Sequence, residues 1–516
     1  MTAITVRRVA VLLCAGGAGV SACNPPTPRI DGVAGAPASP ATPWTVPSPA
    51  RTPPPPAQPP SSPAATSALH TDSASAASVS NLSLADVVDI SLRSNPATRE
   101  SWALARASAD AYGSSRGSLF PEINGTVTLG QSSAAVGTTG NNGLVSGVPT
   151  DTTQTGIRTA TGSTTRTQLT PGLSLSYLVF DLGGRAGSIE SAKQTAIAAD
   201  LSHNATIQNV VLQAESTLFS FLATRALRDA QITAIQEAQT DTAAAEARLR
   251  VGVGTLEDVL QTRTELAQAQ FQLATLEGNL LAARGNLAAA IGLAANARFD
   301  VPNISAGDSV AGIAASVDTL INRAIVQRPD LAESRAAAAS FAAQIRVARS
   351  AGYPALTLSS SASAPRTLQG TSTTGSSYSL LLGVQIPIFN GFSHQYDVKT
   401  AREQYEAALA RVASTTQLIT VQVFASYAAL ETSTQRVTAA VDLLRSAQQS
   451  SDVAQGRYRE GVGTIVDVLL ARSALETARA EAIQARWEWR TSLAQLAHDA
   501  GSLDVAGRPN IPLGPP

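Results

Sequence analysis

The stretch GVGTLEDVLQTRTELAQA, which starts at Gly252, returns as GVGTIVDVLLARSALETA at Gly461, 209 positions later. An offset that long marks a duplicated, domain-sized unit, since solenoid repeats recur every ~20–50 residues. Phe180 in YLVFDLGG and Phe389 in IPIFNGFS keep the same offset, whereas Pro96 and Pro329, and Pro121 and Pro354, stand 233 apart. The difference of 24 places one insertion in the first copy. It falls in AVGTTGNNGLVSGVPTDTTQTG, a loop composition in which extra length costs little. The chain is therefore built twice from one plan.

Each copy begins with a helical stretch, Leu84 to Gly117 or Leu320 to Ser350. Two alternating segments follow. Leu173, Leu175, Tyr177 and Val179 oppose Ser174 and Ser176, and Tyr378, Leu380, Leu382, Val384, Ile386 and Ile388 oppose Ser377, Ser379 and Gln385. Weaker partners are Ile123, Val127 and Leu129, and Leu356 with Leu358. A period of two fits strands with one wet face, either in a membrane barrel or in a sheet over a soluble core. A long helical stretch then runs to the glycine turn and returns from it. Val259, Leu266, Leu273, Leu280 and Leu287 recur every seventh residue, offset by three from Thr262, Ala269, Leu276, Ala283 and Ala290. The second copy repeats the register with Val468, Leu475, Ala482, Trp489 and Leu496, and with Ala471, Ala478, Ala485 and Ser492. Sustained heptads predict a coiled-coil seam, and alanine in it lets helices approach closely. Gly184 to Arg250 carries no proline over 67 residues, a helix of roughly 100 Å at ~1.5 Å per residue.

The 516 residues carry 37 Lys+Arg against 38 Asp+Glu, without a basic run, which excludes a nucleic-acid binder. Only 4% of residues are aromatic, so the apolar content is mainly that of closely packed helices. At the N-terminus, Arg7 and Arg8 precede an apolar stretch, Val9 to Ala22, as in an export signal. Val20-Ser21-Ala22-Cys23 resembles a bacterial lipobox, which implies acylation of Cys23; an ordinary cleaved signal is the alternative. Removal of Cys14 with the signal leaves no disulfide framework. Asn24 after the cysteine points to the outer membrane in the lipoprotein pattern. The expected organisation is a signal peptide (1–22), a lipidated cysteine with a disordered Pro/Ala/Ser-rich linker (23–80), a first repeat (81–300), a second repeat (301–505) and a tail (506–516).

Four strands cannot close a barrel, and an open edge cannot stand in lipid, where each unpaired backbone group costs several kcal/mol. Three chains would supply twelve strands. At this point the sequence resembles the TolC-like outer-membrane efflux factor family, in its lipoprotein branch, from Leu82 to about Leu496. The resemblance is carried by the duplication, by LFPEINGTVTLG and GYPALTLSSS, by YLVFDLGGRAGSIESAKQ and IPIFNGFSHQYDVKTARE, and by the paired GVGT turns. It implies an α+β membrane protein: a homotrimeric 12-stranded outer-membrane β-barrel, with four strands per chain, continued by a long α-helical coiled-coil periplasmic tunnel. It also implies a periplasmic adaptor and an inner-membrane transporter of RND, ABC or MFS type as partners, beside outer-membrane lipid. The expected function is passive export of small molecules and drugs in a tripartite pump, with neither enzyme activity nor cofactor. A type I protein-secretion duct and a periplasmic coiled-coil scaffold lipoprotein are the alternatives.

The resemblance places Gly252, Gly254, Gly461 and Gly463 at the periplasmic tip, where the adaptor docks, and the turns call for positive φ at glycine. Asp258 and Asp467 match the family's acidic tip residues and are candidates for the selectivity of the aperture. Thr255-x-x-Asp258 and Thr464-x-x-Asp467 also match capping boxes, a purely structural role that can coexist with the first. The family's second acidic position is Leu470 here. Tyr458 matches a tyrosine that latches hairpins closed through the aspartate here numbered Asp258. The family's partner arginine falls at Gly463, with Arg457 and Arg459 as possible substitutes. His70, His203, His394 and His498 are scattered, so no metal or histidine chemistry is expected. Trp487 and Trp489 lie within the second seam and read as packing residues.

Overall fold

The computed structural model describes residues 29–45, 82–136, 162–302, 315–370 and 375–503. The signal segment, Cys23, most of the inserted loop and the C-terminal tail lie outside the described residues. The chain divides into two units, and both draw on both copies of the duplication. Ser114–Ser191 and Phe341–Gln404 form one, and the remainder forms the other.

The smaller unit holds an antiparallel sheet of β3 (Glu122–Val136), β4 (Gly162–Phe180), β5 (Ala355–Ser363), β6 (Arg366–Gln369) and β7 (Ser377–Gln385), in the order β3-β4-β5-β7. The expected four ribbons become five labelled strands because β6 continues β5 along the same neighbour. Along β4, β5 pairs with Gly172–Phe180 and β6 with Thr167–Leu169. The break falls at Pro365, which has no N–H to give the ladder. The last strand was expected to reach Ile388 but ends at Gln385, where Pro387 and the conformation it imposes on Ile386 stop the pairing.

The register gathers the apolar residues on one face. Ile123 lies opposite Leu175, Leu358 opposite both Tyr177 and Leu382, and Leu356 opposite Val384. On the other face Ser176 lies opposite Ser359, and Ser361 opposite Ser379. Tyr378 is 87% exposed and Leu380 68%, and among the described residues no layer covers them. Among the described residues, β3 and β7 each lack a partner strand on their outer side.

In the larger unit, α1 (Leu84–Ser94) starts at a capping box of Ser83 and Asp86 and is followed by α2 (Pro96–Gly117). Their counterparts are α5 (Val317–Gln327) and α6 (Pro329–Ser350). The sequence alone predicts one helical stretch for each pair. Pro96 and Pro329 instead hold Asn95 and Arg328 in extended conformations, with ψ of 129° and 124°, so each proline opens a second helix. The long hairpins are α3 (Gly184–Arg250) with α4 (Leu256–Ala290), and α7 (Ser393–Arg459) with α8 (Ile465–Asp499). Val88 and Leu92 of α1 and Leu320 of α5 pack with Ile207 and Val211 of α3, Ile419 and Val423 of α7, and Leu496 of α8. One core thus ties the two copies together. Trp487 packs against Phe219, with ring centroids 6.0 Å apart.

Residues 29–45 correct the expectation of a disordered linker. Strands β1 (Arg29–Ile30) and β2 (Val33–Ala34) form a tight hairpin at Asp31 and Gly32, both at positive φ. Asp31 pairs with Lys193 at 2.8 Å, the Trp102 indole N–H donates to the Pro37 carbonyl, and Trp44 exchanges two 2.7 Å hydrogen bonds with Asn204. Ile30 and Trp44 are buried. Two large apolar anchors and these polar contacts overcome a composition that reads as spacer.

Candidate functional site

The seams of the two hairpins set the site. Val259, Thr262 and Ala269 of α4 are buried, as are Val468, Ala471, Leu475, Ala478, Ala482 and Ala485 of α8. These are expected heptad positions, with Leu266 half-buried among those of α4, so each hairpin is zipped down to its tip.

At both tips the helix ends in a Schellman motif. Val253 N–H donates to the Arg248 carbonyl and Gly252 N–H to the Leu249 carbonyl, both at 3.0 Å. In the second copy Val462 N–H reaches Arg457 at 2.9 Å and Gly461 N–H reaches Tyr458 at 3.1 Å. Gly252 and Gly461 take φ of 79° and 77°, as the motif requires. Gly254 and Gly463 differ from the expectation, because neither has positive φ. They are glycines because the chain passes close to its own helix. A Cβ on Gly254 would lie 3.0 Å from Arg248 Cβ, and one on Gly463 would lie 3.1 Å from Arg457 Cβ.

The returning helices start at the two capping boxes. Thr255 N–H donates to Asp258 Oδ2 and Asp258 N–H to Thr255 Oγ1, each at 3.1 Å. Thr464 N–H donates to Asp467 Oδ2 at 3.0 Å, and Asp467 N–H returns a 3.2 Å bond to Thr464 Oγ1. The bond from the Thr464 backbone, then that from its hydroxyl, holds the Asp467 carboxyl below its ordinary range. Asp467 remains exposed and Asp258 half-buried. Between the caps lie exposed valines, Val253 at 65% and Val462 at 67%.

Tyr458 is half-buried, and its hydroxyl makes no hydrogen bond in this structure. The Tyr458–Asp258 hydrogen bond expected of the latch is therefore not formed here. The residue that takes Tyr458 is Arg248, at the end of α3: its guanidinium stacks 4.6 Å from the ring centroid and donates to the Tyr458 carbonyl at 2.9 Å. Burial raises the phenol above its usual range; Arg248 opposes that shift, and the Asp258 and Asp241 carboxylates add to it. Of the two expected substitutes, Arg457 donates to Val462 O of its own turn, at 3.4 Å. Arg248 had a signal in the sequence, since it precedes Gly252 by the same four residues that separate Arg457 from Gly461.

Among the described residues, no group of three or more His, Cys, Asp and Glu is placed to hold a metal ion. His203 and His498 hydrogen-bond to Ser101 and Asn209, 2.8 and 2.9 Å away. No helix among the described residues is long and apolar enough to cross a membrane.

The profile of the family described as outer membrane efflux protein matches residues 87–293 and 320–502, the two copies of the duplication. The chain belongs to that family. It is 24% identical over 454 residues to protein CyaE of Bordetella pertussis, spanning 84% of this chain and 87% of that one. It is 25% identical over 404 residues to the antibiotic efflux pump outer membrane protein ArpC of Pseudomonas putida, spanning 77% and 79%. Its fold matches the CmeC outer membrane channel of Campylobacter jejuni with a TM-score of 0.66 at 19% identity, over 81% of this chain and 85% of that one. The protein is an outer-membrane efflux channel component, with the barrel-and-helical-tunnel fold of these channels.

Proposed function

We propose that three copies of the chain join edge to edge, β7 of one against β3 of the next, and close a 12-stranded barrel. The observation that carries this reading is the sheet: two edges and one continuous apolar face that nothing among the described residues covers. The trimer serves as a passive duct for small toxic molecules, in a tripartite assembly with a periplasmic adaptor and an inner-membrane transporter. The likeness to an antibiotic efflux pump component supports small molecules as cargo. Acylated Cys23 would add a second hold on the membrane. Deleting the chain should sensitise cells to several unrelated small toxins; unchanged susceptibility to all of them would count against this cargo class.

The adaptor docks at the hairpin tips, where Val253 and Val462 stand exposed on rigid Schellman turns. Replacing both valines by aspartate should abolish photo-cross-linking to the adaptor while the trimer persists. Undiminished capture would refute tip docking. Asp467 lines the aperture as well as capping its helix, and the Arg248–Tyr458 contact ties the first hairpin to the second.

A further inference from the structure

One cluster of charges is left unused by the turns and the sheet. It lies among α3, α4 and α8, above the tips. Arg472 of α8 reaches Glu237 of α3 at 2.7 Å and Asp241 of α3 at 3.3 Å. Arg479, two helical turns further along α8, grips Glu237 with two 3.1 Å bonds and also contacts Gln448 of α7 at 3.5 Å. These are not surface pairs, because the four side chains are only 11–23% exposed. Glu476 of α8 and Glu265 of α4 line the same cavity of about 10 Å³, room for roughly one water. Four carboxylates therefore face two guanidinium groups, both already committed to the α3 acids.

The duplication shows that this arrangement is not inherited symmetry. Arg263 stands in the first copy where Arg472 stands in the second, and it pairs within its own hairpin, with Glu246 at 2.7 Å. The counterpart of Glu246 is Gln455, so Arg472 has lost the acid at that place. The counterparts of Glu237 and Asp241 are Ser446 and Ser450. The acids that are gripped, Glu237 and Asp241, stand on the first hairpin and the arginines that grip them on the second, which makes the pairing a tie between hairpins.

We propose that this cluster is a proton-responsive clasp between the two hairpins of one chain, tightened when Glu476 or Asp241 takes up a proton and loosened when it is lost. With all four acids ionised the cluster holds more negative than positive charge in a part-buried space, and separating the hairpins relieves that imbalance. The groups that face it are Glu237 and Asp241 from α3, Glu265 from α4, Gln448, Gln455 and the Tyr458 phenol from α7, the last within electrostatic reach of Asp241, and Arg472, Glu476 and Arg479 from α8. Burial, the largest cause, raises both Asp241 and Glu476 above the ordinary carboxylate range. A group raised in the clasped form gives up its proton on opening. The hold is therefore full below the ordinary carboxylate range, about pH 4, and falls as pH rises through the raised values.

The clasp itself is independent of the duct reading; only its consequence for gating rests on that reading. Hydrogen exchange on the detergent-solubilised full-length protein tests it, at about pH 4 and about pH 8 and corrected for the chemical exchange rate, so that the two conditions bracket the window in which the hold is lost. Protection of residues 465–480 should fall several-fold or more relative to the sheet amides from the lower pH to the higher. Glu476→Gln should reduce that difference, Glu476→Gln with Asp241→Asn should abolish it, and Arg472→Met should lower protection at both pH values. A flat wild-type profile, or a double variant that responds like wild type, overturns the proposal. Conductance of the same preparation in a bilayer is the separate test of the duct: its absence would remove the duct and leave the clasp intact.

Discussion

Leu381 and Leu382 are neighbours on β7, and each is 64% exposed in the single chain. Exposure cannot tell them apart, but the register can. Leu382 lies opposite Leu358, which itself faces Tyr177, whereas Leu381 lies opposite Ser359, which faces Ser176. If the apolar face meets lipid, Leu382→Arg places a charge in hydrocarbon. β7 has nine residues, so it runs about 30 Å and, at a tilt of about 40°, crosses about 23 Å of thickness, close to the ~25 Å apolar band of such barrels. Leu382 lies towards the middle of the strand, where arginine on the lipid face costs about 2–4 kcal/mol. That is about 30-fold to 1000-fold in the folding equilibrium per chain, and a trimer carries the change three times. Leu381→Arg points to the other face and should cost no more than about 0.5 kcal/mol. The assay is refolding from urea into lipid vesicles, read by the heat-dependent mobility of the folded band. Equal losses for the two variants, or a larger loss for Leu381→Arg, would refute the assignment of faces.

Three further outcomes follow from particular residues. Asp467→Ala should lower the cation preference of single channels, and an unchanged reversal potential would leave Asp467 as a helix cap alone. Asp200 is fully buried with both carboxylate oxygens unbonded, and burial pushes it up to about 8. Its ionisation opposes folding increasingly as pH rises from about 4 to about 8, so Asp200→Asn should stabilise the protein by a few kcal/mol at pH 8, raise Tm there, and flatten the pH dependence; a Tm unchanged at pH 8 would contradict this. If Cys23 is acylated, Cys23→Ser should remove the mass of the acyl groups from the mature protein while the barrel still fractionates with the outer membrane; an unaltered lipid content would contradict acylation.

Much of this molecule is written locally and can therefore be read from sequence. The Schellman glycines, the Thr-x-x-Asp boxes and the heptads act over a few residues, and they appear in the structure where their spacing places them. The helix breaks at Pro96 and Pro329 were equally local; the signal was present as aligned prolines, but each had been read as an anchor of the repeat and not as the start of a second helix. The strap at residues 29–45 was hidden by composition, because Ile30 and Trp44 gain their energy from a surface distant in sequence. The same holds for Arg248 with Tyr458 and for Arg472 with Glu237, whose partners lie more than two hundred residues away. Helical periodicity gives the face of such a residue, but it does not name the helix across from it.

On the proposed assembly, one chain's sheet leaves its edges open and becomes a tube only with copies of itself. Native mass measurement of the protein extracted in mild detergent tests this most directly. The expected result is a single species of three chains that falls to one on heating in denaturant. A species that stays at one chain at all concentrations, and remains soluble when the detergent is removed, would contradict it.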